Sequence, residues 1–331
     1  MSNLEKDPPE LRCTTGNTDD GIEILPPREV PLGGPRAMLV RRTLPQRHRS
    51  LIGAWCFVDH YGPDDVADSG GMSVAPHPHT GLQTVSWLFT GEIRHRDSVG
   101  TEAMVRPGEV NLMTGGHGIS HSEVSTPQTT VLHGAQLWVA LPEATRDAPA
   151  AFEHHAPEPV EGDGWEARVF LGSLLGSTSP VTTHTPLLGA EVLVGAGTTV
   201  RIDVDPTFEH GLLLDTGSVT LDGRGVQSAD LAYAAPGRSC LELHALEDSR
   251  LLLLGGPPFG EAIVMWWNFV GRTHEEIVKY REEWQAQITA DGAVVDDGQR
   301  VADGRFGVVA NESLPPIPAP AMPNARLKER R

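Results

Sequence analysis

Cysteine is nearly absent from this 331-residue chain, which has only Cys13, Cys56 and Cys240. A set that is odd in number and widely spaced gives neither a disulfide framework nor a CxxC metal knuckle. No stretch approaches the ~20 apolar residues that span a bilayer, and the opening MSNLEKDPPE is charged where a secretion signal would be apolar. Basic residues are scarce: 26 Lys plus Arg against 44 Asp plus Glu leave a net charge of −18, which opposes a surface that tracks nucleic acid. There is no G-x-S-x-G elbow and no phosphate-loop spacing with Lys, so hydrolase and nucleotide-loop classes drop out. These absences predict a folded cytoplasmic protein with no membrane and no direct nucleic-acid partner.

What is present is the texture of an all-β protein. Thirty-six glycines and 27 prolines punctuate short runs of Val, Thr, Leu and Ile, and 39% apolar residues suffice for the cores of about two domains. QTVSWLF alternates from Gln83, placing Val85, Trp87 and Phe89 on one face, and Thr90-Gly91-Glu92 predicts a hairpin into IRHRDS. VNLMT, ISHSEV and LHGAQLWVAL complete a first unit, predicted over 21–150 after an N-terminal arm at 1–20. Residues 142–165, poor in large apolar groups, read as a connector with one edge strand. The same grammar then returns over 151–290 in EVLVG, TVRIDV, GLLLDTG, SVTLDG, DLAYAAPG, SCLELHA and RLLLLGG. One helix is predicted at 273–288, where Thr273 and Glu276 form a capping box and Ile277, Tyr280, Trp284 and Ile288 recur at helical spacing. The Pro-rich tail, 291–331, either drapes over the body in extended form or is disordered.

Seven of the fourteen histidines lie between His60 and His133. In His77-Pro78-His79 the rings are two residues apart, which on an extended backbone points both to one side, and His121-Ser122-Glu123 repeats the device. Two such pairs on adjacent strands bring three imidazoles and a carboxylate together inside a small barrel, a donor set suited to one Fe(II), Mn, Ni, Cu(II), Co or Zn ion. Four ligands on an octahedral ion leave two positions for water, dioxygen or a chelating substrate, and the +1 net charge suits a monoanionic enolate or phenolate. Glu123 is the ligand able to double as catalytic base toward an enolic hydroxyl.

The segment HPHTGLQTVSWLFTGEIRHRDSVGTEAMVRPGEVNLMTGGHGISHSE resembles the signature of the pirin family of bicupins, as do GAQLWVALP and PFGEAIVMWWNFVGRTHEEI. The resemblance spans residues 21 to 290 and implies two stacked antiparallel β-barrels of the cupin type, with a few short helices and the C-terminal helix. It implies His77, His79, His121 and Glu123 as metal ligands in the first barrel, with iron the usual ion. It further implies quercetin 2,3-dioxygenase activity, the ring-opening of a flavonol with O2, in several members. In others it implies a transcriptional co-regulator role, so the alternative is a non-catalytic metal or redox sensor acting on a protein partner. Gln83 stands where many members have Glu and reads as a hydrogen-bonding neighbour of the ligands. His117 replaces a common Arg and is a candidate for the pocket mouth.

The remaining candidates have plainer readings. His95 and Asp97, flanked by Arg94 and Arg96, read as a solvated strand face, and Asp59-His60 reads as a turn. Cys56 within LIGAWCFV reads as a buried small hydrophobe. Glu242 and His244 fall where His121 and Glu123 would lie in a repeat, but no H-x-H accompanies them, and no second metal is expected there.

Overall fold

A computed structural model of the chain describes residues 21–32, 38–289, 292–295 and 304–330. The arm at 1–20, with Cys13, lies outside the described residues. The first barrel is built from β1 (Ile22–Leu25, lent to the other barrel), β2 (Arg28–Leu32), β3 (Met38–Leu44), β4 (Trp55–Asp65), β5 (Ser73–His79), β6 (Leu82–Thr90), β7 (Ile93–Asp97), β8 (Glu102–Val105), β9 (Val110–Thr114), β10 (Ile119–Ser125), β11 (Val131–Ala140) and β12 (Ala151–His155). Its strands form a seven-stranded sheet, β12-β9-β6-β11-β4-β3-β2, facing a four-stranded sheet, β5-β10-β7-β8. A short helix, α1 (Val66–Ser69), follows β4.

The second barrel repeats this plan. After β13 (Val160–Gly162), β14 (Trp165–Leu171) and a small hairpin of β15 (Ser173–Leu174) and β16 (Ser177–Thr178) come β17 (Leu188–Val194), β18 (Thr199–Asp203), β19 (Glu209–Thr216), β20 (Val219–Leu221), β21 (Arg224–Val226), β22 (Leu231–Ala234), β23 (Cys240–Ala245) and β24 (Ser249–Gly256). They form a seven-stranded sheet, β1-β22-β19-β24-β17-β14-β13, and a four-stranded sheet, β18-β23-β20-β21. The barrels trade edge strands: β1 pairs with β22 of the second, while β12, from beyond residue 150, pairs with β9 of the first.

The expected hairpin between QTVSWLF and IRHRDS does not form. β6 pairs with β9 and β11 in the large sheet, whereas β7 pairs with β8 and β10 in the small one, so the Thr90–Glu92 turn is a corner between sheets. β19 and β20 divide in the same way, which is what closes each barrel. Alternation along β6 still holds: Val85, Trp87 and Phe89 face the other barrel and join Phe170, Leu213, Leu252 and Leu254 in one buried core between the large sheets. Trp87 stacks on Phe170 with ring centroids 4.6 Å apart.

After a hairpin of β25 (Val264–Trp266) and β26 (Phe269–Gly271), helix α2 (His274–Gln287) carries the predicted capping box and buries Ile277, Tyr280 and Trp284. Described residues of the tail drape over the body: Phe306 and Ala319 are buried beside α2, and the chain reaches back until Arg330 pairs with Ile263.

Candidate metal centre

Strands β5 and β10 are antiparallel neighbours with His121 opposite His77, so both sequence pairs reach the interior of the first barrel. A bulge interrupts the register between His121 and Glu123, opposite Ala75 and Pro76. Proline lacks the N–H that an unbroken ladder would need there, and a bulge re-aims the neighbouring side chains. His77, His79, His121 and Glu123 are all at most 1% exposed.

The ring nitrogens of His77, His79 and His121 lie within 4.8 Å of one another. His77 Nδ1 is bonded to the Ala75 carbonyl at 2.9 Å and His79 Nδ1 to the Asn268 carbonyl at 3.2 Å. A backbone acceptor fixes Nδ1–H, leaving the Nε2 lone pairs for the interior. There His79 Nε2 meets His121 Nε2 at 3.1 Å, and the buried His77 Nε2 has no hydrogen-bond partner. Burial pushes the His77 imidazole down to about 3 and holds His79 and His121 well below the usual histidine range. Three neutral imidazoles with converging lone pairs, one of them orphaned, are a donor set that fits a first-row divalent ion.

Glu123 stands in an adjoining group with His121 and His95, and accepts a hydrogen bond from Ser86 Oγ at 3.3 Å. The same Ser86 hydroxyl, with its one proton, lies 2.9 Å from Gln136 Oε1 and is shared between the two acceptors. Trp138 closes another wall, its ring 5.2 Å from His79 and stacked on Phe57.

Several expectations are corrected. His95 and Asp97 are not on a solvated face: Ile93, His95 and Asp97 are buried while Arg94 and Arg96 turn outward. His95 Nδ1 lies 3.4 Å from His121 Nδ1, and its Nε2 lies 3.2 Å from Asp97. Burial opposes ionisation of Asp97, but the His95 contact and the Thr101 amide hold its carboxyl below the usual range. Gln83 faces away from the ligands, with Val85, and donates to Thr114 Oγ1 at 3.0 Å. His117 is 57% exposed and outside the cluster, its carbonyl held by Arg305 at 2.6 Å. Cys56 is buried as expected, its thiol pushed up to about 12 by burial. Sequence reasoning passed over Ser86, Gln136 and Trp138. Their even numbering, opposite in phase to Val85 and Leu137 on the same strands, was the available signal.

Asp59-His60 is likewise no turn. It lies within β4, where Asp59 binds Arg42 bidentately at 2.6 and 2.8 Å. His60 Nε2 and His133 Nε2 reach across to the second barrel's Asp215 Oδ1 at 2.7 and 2.6 Å, and Arg250 binds Asp215 Oδ2 at 2.7 Å. These are hydrogen-bond lengths, and Arg41 Nη2 stands 3.4 Å from His60 Nε2, where a cation would be repelled. We read this trio as a polar clamp between barrels.

In the second barrel Leu241 and Leu243 face inward on β23, with Val200 and Ile202 of β18 opposite, while Glu242 is exposed. The strand carries its polar residues one position out of phase with His121 and Glu123. The interior is lined mainly by apolar side chains; His210 of β19, in phase with Leu212 and Leu214, is buried there with neither ring nitrogen hydrogen-bonded, but it belongs to no group of three metal donors among the described residues.

Two family descriptions match this chain, "Pirin" over residues 37–139 and "Pirin C-terminal cupin domain" over 189–289. A Pseudomonas aeruginosa protein named "Putative quercetin 2,3-dioxygenase" is 39% identical over 331 residues, covering 98% of each chain. A Caulobacter vibrioides "Pirin-like protein" is 37% identical, covering 75% of this chain and 88% of its own. Among solved structures, a quercetin 2,3-dioxygenase from Acinetobacter baumannii superposes with a TM-score of 0.83 at 37% identity, covering 93% of this chain and 97% of that one. The bacterial pirin YhhW from Escherichia coli, solved in complex with nickel(II), shares the fold at a TM-score of 0.57 and 20% identity, covering 72% and 99%. With two cupin barrels and both domain matches in place, the chain belongs to the pirin family of bicupins. Among its described residues no helix is long and apolar enough to cross a membrane.

Proposed function

We propose that this protein is a metal-dependent dioxygenase of the quercetin 2,3-dioxygenase type, with one Fe(II) bound by His77, His79, His121 and Glu123. The observation that carries this reading is the orphaned Nε2 of His77 beside the Nε2 atoms of His79 and His121 in a fully buried pocket. The names of the relatives that match over nearly the whole chain support the substrate class. When bound, the ion would supply Lewis acidity toward a flavonol's vicinal oxygens and a path for electrons from the bound flavonolate to O2.

The chain's own residues account for the rest. The backbone carbonyls of Ala75 and Asn268 fix the tautomers of His77 and His79, so ligation costs little reorganisation. In this reading Glu123, in contact with the Ser86 hydroxyl and grouped with His95, would take the proton of the flavonol 3-hydroxyl. The apolar walls of the barrel exclude water from the anion so formed.

The test is oxygen uptake by protein loaded in turn with Fe(II), Mn, Ni, Cu and Co, with quercetin as substrate. Flavonol-dependent consumption of O2 with at least one metal is expected. Metal-loaded protein that leaves quercetin and O2 unchanged contradicts the enzyme reading and favours a metal or redox sensor acting on a protein partner.

A further inference from the structure

The outer faces of the strands that carry the histidines are covered by the C-terminal tail. On β10 the inward residues His121 and Glu123 alternate with Ser120 and Ser122, and both serines are engaged from outside the barrel. Ser120 Oγ donates to the Phe306 carbonyl at 3.0 Å, and Ser122 Oγ donates to Glu312 Oε2 at 2.7 Å. On β5 the Pro76 carbonyl, next to His77, accepts from the Ile317 amide at 2.8 Å. Arg96 of β7 donates to the Asn311 carbonyl at 3.1 Å.

The segment gripping these strands is itself fixed. Glu312 Oε1 accepts from the Ser313 and Leu314 amides at 2.8 and 3.0 Å, so its carboxylate is preset and only 6% exposed. Phe306 packs edge-on against Trp284 of α2, and Trp284 Nε1 donates to the Ile317 carbonyl at 2.8 Å. At Gly118, just before β10, an added Cβ would stand 2.5 Å from the Arg305 side chain, so the tail lies directly on the chain there. The tail residues that make these contacts lie beyond residue 289, where the second domain match ends.

We propose that residues 304–320 form a strap that positions the metal ligands from behind, with Ser122 and Glu312 as its positioning pair. Ser122 touches neither the pocket nor a substrate. It acts through the backbone it shares with His121 and Glu123, restricting the bulged stretch of β10 whose ladder to β5 is interrupted. The proposal rests on the metal reading above.

The experiment compares full-length wild type with Ser122→Ala, Glu312→Ala and the conservative Glu312→Gln. It measures three things: the Co(II) ligand-field spectrum, the rate of Co(II) loss to a chelator, and hydrogen exchange of the Ile119–Ser125 amides in metal-free protein. Loss of groups that orient metal ligands typically weakens a site by about 10- to 100-fold. Ser122→Ala and Glu312→Ala should therefore release Co(II) about tenfold faster, with an altered spectrum and faster exchange along β10. Glu312→Gln, which keeps an acceptor oxygen, should stay within about twofold of wild type. Wild-type protein that takes up Co(II) while both alanine variants match it in spectrum, release and exchange overturns the strap alone. Wild-type protein that takes up no Co(II) contradicts the metal reading, and the strap's role falls with it.

Discussion

His77 and His121 lie directly opposite each other on antiparallel β5 and β10, their ring centroids 4.4 Å apart. A one-residue slip of this register would turn every side chain of the moving strand to the other face, sending its ligand pair outward and the neighbouring prolines or serines in. The pairing is therefore what converts two short sequence patterns into one pocket.

The clamp between barrels should make stability sensitive to acid. Burial opposes ionisation of Asp215, but hydrogen bonds from His133 and His60 hold its carboxyl far below the usual range. A depressed carboxyl contributes stability that is present above its unfolded pKa and lost as pH falls toward the folded one. His60, lowered by burial, changes stability in the same direction, because unfolding frees it to take up a proton. Asp215→Asn should lose about 3 kcal/mol in urea unfolding at pH 7, the cost of breaking a buried pair, with the difference from wild type shrinking below pH ~4. Equal stability at pH 7 would refute the clamp.

Thiols should be irrelevant to the metal. Cys56 is fully buried with its Sγ 3.6 Å from the Trp138 carbonyl, and its raised pKa keeps it protonated. Aromatic disulfide reagents should leave Cys56 unmodified in the folded protein, and Cys56→Ser should retain its metal. Loss of metal from a folded Cys56→Ser protein would point to a ligand set other than His and Glu.

If Glu123 is both ligand and base, Glu123→Gln keeps an oxygen donor and removes the proton acceptor. Metal should be partly retained, while flavonol turnover drops by about 10²- to 10⁴-fold, less at high pH where the substrate is already ionised. Unchanged turnover at neutral pH would leave Glu123 a ligand only and shift the search to His95 beside it.

Much of this arrangement was legible in the sequence because it is local. The H-x-H and H-x-E spacings put each pair on one strand face, and the box at Thr273 and Glu276 set the start of α2 within a residue. His95 was legible in phase, since Ile93, His95 and Asp97 alternate with two arginines. The arginines pointed to solvent, yet a strand on a barrel wall carries charge on its outer face and buries the other. Glu242 and His244, where no second metal was expected, show the same point in reverse: matching turns across the repeat places strands, but phase decides which residues face in. The His60–Asp215 contact joins positions 155 residues apart, and no local pattern marks it. Pairing of β6 with β7 was inferred from turn chemistry, which does not say whether a turn reverses the chain within a sheet or carries it to the next.

The most direct test of the account is metal content per chain for protein purified without chelator, in wild type, His79→Ala and the double variant Glu242→Ala/His244→Ala. One equivalent of a first-row transition metal is expected in wild type and in the double variant, with most of it lost in His79→Ala, whose shell is incomplete. Two equivalents in wild type, or full occupancy in folded His79→Ala, would contradict a single site built on His77, His79, His121 and Glu123.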